Sequence, residues 1–232
     1  LLRELDGVSG RHCSVAVASV RPIEDRERAM RRQHVRLAHT DVAHFDAEFT
    51  SRPDLEELVP HTYDDIVIVA SDWIDDADEA DARSLLAYLM LRQVLEDRPT
   101  DPDIVVELLD EDNVPLLGSE RHEVIVGPQL VSHMLSHVAL RRELASVFGD
   151  IFTPGGAEVG FVPLAELGIV PGPIPFDALG DAVAQTHRVA LGVRIASERG
   201  AKHGGVYLNP PGSEPIALTH DDELIVLSTD AA

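Results

Sequence analysis

Six acids fall within one ten-residue stretch of this chain: Asp72, Asp75, Asp76, Asp78, Glu79 and Asp81. They follow the strand-like run Ile66-Val67-Ile68-Val69-Ala70 and precede a helix-like one. Carboxylates so placed can hold a cation, form half of a nucleotide pocket, or open a helix. Asp76 and Glu79 have the D-x-x-E spacing of a capping box. Asp78, Glu79 and Asp81 suit the positive amino end of a helix. Asp72 and Asp75 are left over. They sit where a central strand of an open α/β sheet ends, which is where such sheets place ligands. This pair is the candidate metal site, with Ca²⁺ as the candidate ion. Ca²⁺ takes about six to eight oxygens, so the Ser71 carbonyl, waters and a neighbouring subunit would have to contribute. No acid triplet has the alternating spacing and glycine of an EF-hand loop.

Other spacings point to weaker chemistry. Ser19 and Arg21 end a strand where a nucleotide-binding fold would carry an acid for the ribose hydroxyls. An arginine there could face a phosphate, or could simply be a solvated residue opening a helix. His39, Asp41, His44 and Asp46 could gather near the end of the next strand. Ser19, Arg21, Asp41, Ser71 and Asp72 are therefore the candidate ligand-binding residues, with a nucleotide as the alternative ligand. His133 and His137 have the i, i+4 spacing of zinc ligands, without the glutamate of H-E-x-x-H or an evident third ligand. No phosphate loop, G-x-G-x-x-G turn or G-x-S-x-G elbow occurs. No nucleophile stands with a base, so no catalytic residue is named.

Composition narrows the class. The 232 residues carry a formal charge of −22 and 44% hydrophobic residues. That length allows one large domain or two small ones, and the charge repels nucleic acid. The arginines at 26, 28, 31, 32 and 36 read as a solvated helix face. No apolar run approaches the roughly 18 residues that cross a bilayer. Cys13 is the single cysteine, which suits a reducing compartment. It opens an apolar strand and reads as a buried, inert thiol.

The elements that must position these residues alternate. Strands are expected at 13–19, 35–42, 65–71, 103–110 and 122–127. Helices are expected near 23–33, 51–59, 77–96 and 128–148. That rhythm means βα units and a parallel sheet, and 65–71 reads as buried on both faces. Residues 1–10 read as the last turns of a helix, so the first sheet strand and its phosphate loop would lie upstream. After Gly149 the chain turns rich in proline and glycine. A helix at 176–188 and strands at 189–197, 204–211 and 222–229 then form a small α+β lobe. The fold class is α/β: a Rossmann-like parallel sheet with its first strand apparently missing, plus a small α+β C-terminal lobe. The helix 128–148 has a wide apolar stripe (Leu130, Val131, Met134, Leu135, Val138), and 85–95 is apolar nearly all round. One small sheet cannot cover both, so a homodimer or larger assembly is expected.

Three stretches together resemble the CASTOR/POLLUX family of ion channels. "YDDIVIVASDWIDDADEADARSLLAYLMLR" (63–92) resembles that family's strand-aspartate segment and its arginine-serine-leucine helix. "IVVELLDEDNVPLL" (104–117) resembles the strand-turn that follows. "VIVGPQLVSHMLSHVALRRELASVFGDIFTPGGAEVGFVPLAEL" (124–167) resembles the crossover helix and the start of the second lobe. The likeness is good over 52–232 and loose over 1–51. It implies an RCK (regulator of K⁺ conductance) domain: an N-lobe at 1–127, a crossover helix at 128–149 and a C-lobe at 150–232. It implies a soluble, non-catalytic, ligand-sensing gating-ring domain on the cytoplasmic side of a membrane. Its partners would be copies of itself and the pore portion of the same polypeptide, and its ligand Ca²⁺ or a nucleotide. The alternatives are a fragment of a Rossmann-type NAD(P)-dependent enzyme, or a stand-alone K⁺ transporter regulator.

Overall fold

The computed structural model describes residues 1–8, 12–71, 73–96, 98–100, 102–118, 123–153, 155–201 and 203–229. The chain divides into two compact units: Cys13–Leu144, and Ala145–Ala232 with Leu1–His12.

Helix α1 (Leu2–Val8) leads in chain order to the first unit, in which strands and helices alternate. Strand β1 (Cys13–Ser19) is followed by α2 (Ile23–Arg32), β2 (Thr40–Asp46), α3 (Arg52–Glu57), β3 (Asp65–Ile68) and α4 (Ala77–Leu95). Then come β4 (Asp103–Leu108), β5 (Glu123–Val126) and α5 (Gly127–Leu140). All pairings here are parallel. They form two separate ribbons, β1-β2 and β3-β4-β5. Parallel strands joined by helices in this way are Rossmann-like. Tyr88, Leu91, Val94 and Leu95 of α4 pack on Ile104, Val106 and Leu108 of β4. Val106 and Leu108 are 0% exposed.

The structure corrects four local expectations. The second strand starts at Thr40, not near 35. The chain leaves α2 through His34 at φ 50°, and the ladder begins only where Thr40 faces Cys13. The third strand is not buried on both faces, since Val67 and Val69 are 47% and 49% exposed. Among the described residues only β4 pairs with it, which leaves its other edge without a paired strand there. The apolar run 128–148 is not one helix. α5 ends at Leu140, Arg141 is extended (φ −145°, ψ 93°), and α6 (Leu144–Ile151) starts afresh. Cys13 is half-buried rather than enclosed, because β1 pairs with β2 alone among the described residues.

The second unit is antiparallel. Strands β6 (Glu158–Pro163), β8 (Val189–Arg194), β9 (Val206–Leu208) and β11 (Glu223–Ser228) pair in the order β6-β11-β8-β9. β7 (Gly172–Pro175) pairs with β10 (Pro215–Leu218). Helix α7 (Phe176–Ala184) supplies Leu179 and Val183 to a core with Val162, Leu164, Val193, Leu224 and Val226. Gly192 is required: a Cβ there would lie 2.1 Å from the Tyr207 carbonyl oxygen. β6 and β7 arise inside the proline- and glycine-rich run. Their prolines fall at the end of β6 and in a two-stranded pair, positions that need not donate to a sheet ladder.

Candidate functional site at the carboxyl ends of the parallel strands

The residues that could do chemistry meet at the carboxyl ends of the strands, and arginines do most of the joining. Arg26 of α2 reaches over the ends of β1 and β2. It donates to the carbonyls of Val17 (2.8 Å) and Phe45 (3.0 Å) and to Asp46 Oδ1 (2.6 Å). Its side chain is only 10% exposed, and its Nε is buried with no acceptor among the described residues. Arg83 of α4 donates to both oxygens of Glu48, at 2.8 and 3.1 Å. Its guanidinium lies over the rings of Phe49 (5.1 Å) and Trp73 (5.6 Å). Burial opposes ionisation of Glu48. The hydroxyl and N–H of Thr50 and the Arg83 guanidinium outweigh it, so the carboxyl titrates below its usual 4.5. Arg83 thus ties the segment after β2 to the segment after β3.

The acid run resolves into separate jobs. Asp76 caps α4, accepting from the N–H groups of Asp78 (2.9 Å) and Glu79 (3.2 Å), as its spacing predicts. Asp81 does not serve the helix's positive end. It is 0% exposed and accepts from Leu109 N–H (2.7 Å), Asp110 N–H (3.0 Å) and Asn113 Nδ2 (2.9 Å). This buried carboxylate fastens α4 to the turn after β4. Its one sequence signal is phase: it falls beside Ala80, Ser84, Ala87, Tyr88 and Leu91, the buried face of α4. Glu107 of β4 was also missed. Its Oε2 accepts from Ala70 N–H at 3.0 Å. Its Oε1 lies 3.2 Å from where a Cβ on Gly127 would stand, so glycine leaves room for it at the start of α5.

The predicted ligand residues are not all brought together. Ser19 ends β1, and its Oγ accepts from Arg21 N–H at 3.2 Å; Arg21 is exposed. Asp41 pairs with Ser14 at the opposite end of the ribbon, about 16 Å from Ser19 along the strand at 3.3 Å per residue. Of the His39–Asp46 group, Asp46 alone reaches the carboxyl end. The Ser71 carbonyl accepts from Ile74 N–H at 3.4 Å. Asp75 is exposed, and Asp72 lies outside the described residues. No group of three or more His, Cys, Asp or Glu side chains converges for a metal among the described residues. Asp75 and the Ser71 carbonyl do not make a Ca²⁺ site by themselves. His133 and His137 are exposed on α5. His133 lines a groove with Val124, Ile125, Val126, Gln129 and Leu130.

The fold is similar to that of a solved gating ring. The chain matches the structure of the human SLO3 gating ring with a TM-score of 0.64, over 99% of this chain and 42% of that one, at 11% identity. In sequence it is similar to the POLLUX-type ion channels. It is 31% identical over 169 residues to a probable ion channel POLLUX of Oryza sativa subsp. japonica, covering 71% of this chain and 16% of that one. To the probable ion channel POLLUX of Arabidopsis thaliana it is 29% identical over 180 residues, covering 76% and 20%. To the ion channel DMI1 of Medicago truncatula it is 29% identical over 168 residues, covering 71% and 17%. The resemblance read from residues 52–232 is thus borne out. The chain spans about a fifth of the length of the curated relatives it matches. No family model matches it.

Proposed function

We propose that this chain is a non-catalytic, ligand-sensing regulatory domain of a POLLUX-type cation channel, working in a gating ring on the cytoplasmic side of the membrane. One observation carries the reading: nearly the whole chain adopts the gating-ring architecture, and most of it is similar in sequence to ion channels. No helix among the described residues is long and apolar enough to cross a membrane; the pore portion of the same polypeptide is the proposed partner.

Assembly with copies of itself is supported by α5. None of its residues is buried, although Leu130, Val131, Leu135 and Leu140 are 50%, 54%, 64% and 85% exposed. Such a face calls for a partner. Leu135→Asp is expected to lower the oligomeric state in light scattering while leaving the far-UV circular dichroism unchanged. An unchanged oligomer would remove α5 from the interface.

The sensing role lies at the carboxyl ends of the strands, with Ser19, Arg21, Ser71, Asp72 and Asp75 as proposed contacts and Asp41 set apart from them. A Ca²⁺ site at Asp72 and Asp75 would need carboxylates from a neighbouring copy, which would couple binding to ring shape. Thermal melts with and without millimolar Ca²⁺ test this. A shift lost in Asp75→Asn supports the site. No shift in the unmodified chain removes Ca²⁺ as the ligand. NADH oxidation proportional to protein concentration would overturn the non-catalytic reading.

A further inference from the structure

We propose that His133 and His137 of α5, together with the same two residues of a second copy of this chain, form a four-nitrogen site for Zn²⁺. The inference deepens the assembly reading of α5, on which it rests. It uses a stripe of that helix separate from the one that carries Leu135.

Spacing and exposure define the stripe. A helix turns about 100° per residue, so Leu130, His133, His137 and Leu140 fall within an arc of about 80° on one side of α5. Val131 and Leu135 lie on the other side. The half-buried Met134 and Val138, between the two, mark the side turned to the rest of the chain. All four stripe residues are exposed, Leu130 by 50% and Leu140 by 85%. Neither imidazole has a hydrogen-bond or ion-pair partner among the described residues. His133 also lines the groove against β5, where Ile125 is 47% exposed.

The order of the four residues names the occupant. Steps of three, four and three residues are those of a coiled-coil seam. This seam reads the same in both directions. From position 135, a histidine stands two residues away and a leucine five residues away on either side. A two-fold contact pairs residue i with residue j, and j with i. An antiparallel second α5 centred on position 135 therefore sets His133 of one copy against His137 of the other, and Leu130 against Leu140. The stripe carries no carboxylate, so two copies of a chain with a formal charge of −22 meet there without like-charge repulsion. Arg141 leaves the helix in extended conformation, so the stripe ends at Leu140 before a cation joins it.

The donors name the ligand. One copy offers two imidazoles, and no group of three or more His, Cys, Asp or Glu side chains converges among the described residues. The site is incomplete without the second copy. Residues at i and i+4 have Cβ atoms about 5–6 Å apart, the spacing at which one helix face holds zinc. Two crossing helices present their pairs from opposite sides, which makes the four nitrogens a tetrahedral set rather than a planar one. Imidazole suits Zn²⁺, whereas Ca²⁺ and Mg²⁺ take oxygen ligands. The leucines close both ends of the site against water.

Sedimentation equilibrium of the unmodified chain in Zn²⁺ or in EDTA tests this, with bound zinc measured after dialysis. Zn²⁺ is expected to tighten association by about tenfold or more and to be held at one ion per two chains. His133→Ala and His137→Ala should each abolish that gain without changing the far-UV circular dichroism, because both side chains are exposed. Leu135→Asp should keep it. Zinc held at one ion per chain without association, a gain that survives in the double histidine variant, or an equal gain with Ca²⁺ would each overturn the proposal. Equal association in EDTA and in Zn²⁺ would overturn the zinc site and leave the assembly reading standing. A monomer in EDTA that pairs in Zn²⁺ would support the zinc site and remove metal-free assembly.

Discussion

Strand β11 in the second unit buries four of its six residues, while β1 in the first unit, also largely apolar, buries none of its seven. β11 has β6 on one edge and β8 on the other, with α7 supplying side chains to the same core. β1 has one neighbour. Apolar composition says that a strand belongs inside a sheet. Burial depends on which neighbours flank it. The contrast between an interior strand of an antiparallel sheet and an edge strand of a parallel ribbon is therefore the main structural fact of the described residues.

The comparison can be broken most sharply by paired truncations. Leu224→Ala, at a fully buried position of β11, is expected to cost about 3 kcal/mol. Val15→Ala in half-buried β1 should cost about 1 kcal/mol or less. Urea unfolding of both variants reads the difference, and equal losses would mean that β1 is enclosed after all.

Each unit also holds one buried carboxylate that gathers backbone donors, Asp81 in the first and Asp222 in the second. Asp81→Ala strands the N–H groups of Leu109 and Asp110 and should cost about 2–3 kcal/mol, read by the same unfolding curves. Asp222 accepts from Ala196 N–H (2.7 Å), Thr219 N–H (2.6 Å) and the Thr219 hydroxyl (2.9 Å). Burial alone would raise its pKa. These donors, helped by Arg199, pull it below the ordinary 3.8. A carboxyl depressed by folding stabilises fully above its unfolded pKa, and that contribution is lost as pH falls through the lower folded value. The gap in melting temperature between the unmodified chain and Asp222→Asn should thus hold from neutral pH down to about 4 and shrink below it. A gap that widens with acid would contradict this. The smallest effect is expected at the α4 cap, where Asp76→Ala should cost about 1 kcal/mol and leave any Ca²⁺ response intact.

Much of this was legible in the residues. The βα rhythm gave the parallel strands, and D-x-x-E gave the Asp76 cap. What could not be read is what depends on partners distant in sequence. Asp81 looks like a helix-opening acid until Leu109 and Asp110 are seen to approach it. Glu107 and Arg26 carry no local motif, because Ala70 and the Val17 carbonyl are brought to them by the sheet, and Arg83, although it belongs to the arginine-serine-leucine helix, does not announce Glu48 as its partner. A strand expected at 35–42 puts Asp41 at its carboxyl end; the strand runs Thr40–Asp46, so register places Asp41 at its start. The break at Arg141 carries no proline or glycine to announce it.

The central claim is that this domain works as an assembly. Sedimentation equilibrium of the unmodified chain at micromolar concentrations tests it most directly. The account predicts a dimer or larger oligomer, held by an interface burying more than about 1,000 Å². A single monomeric species across the concentration range, with native circular dichroism, would contradict it.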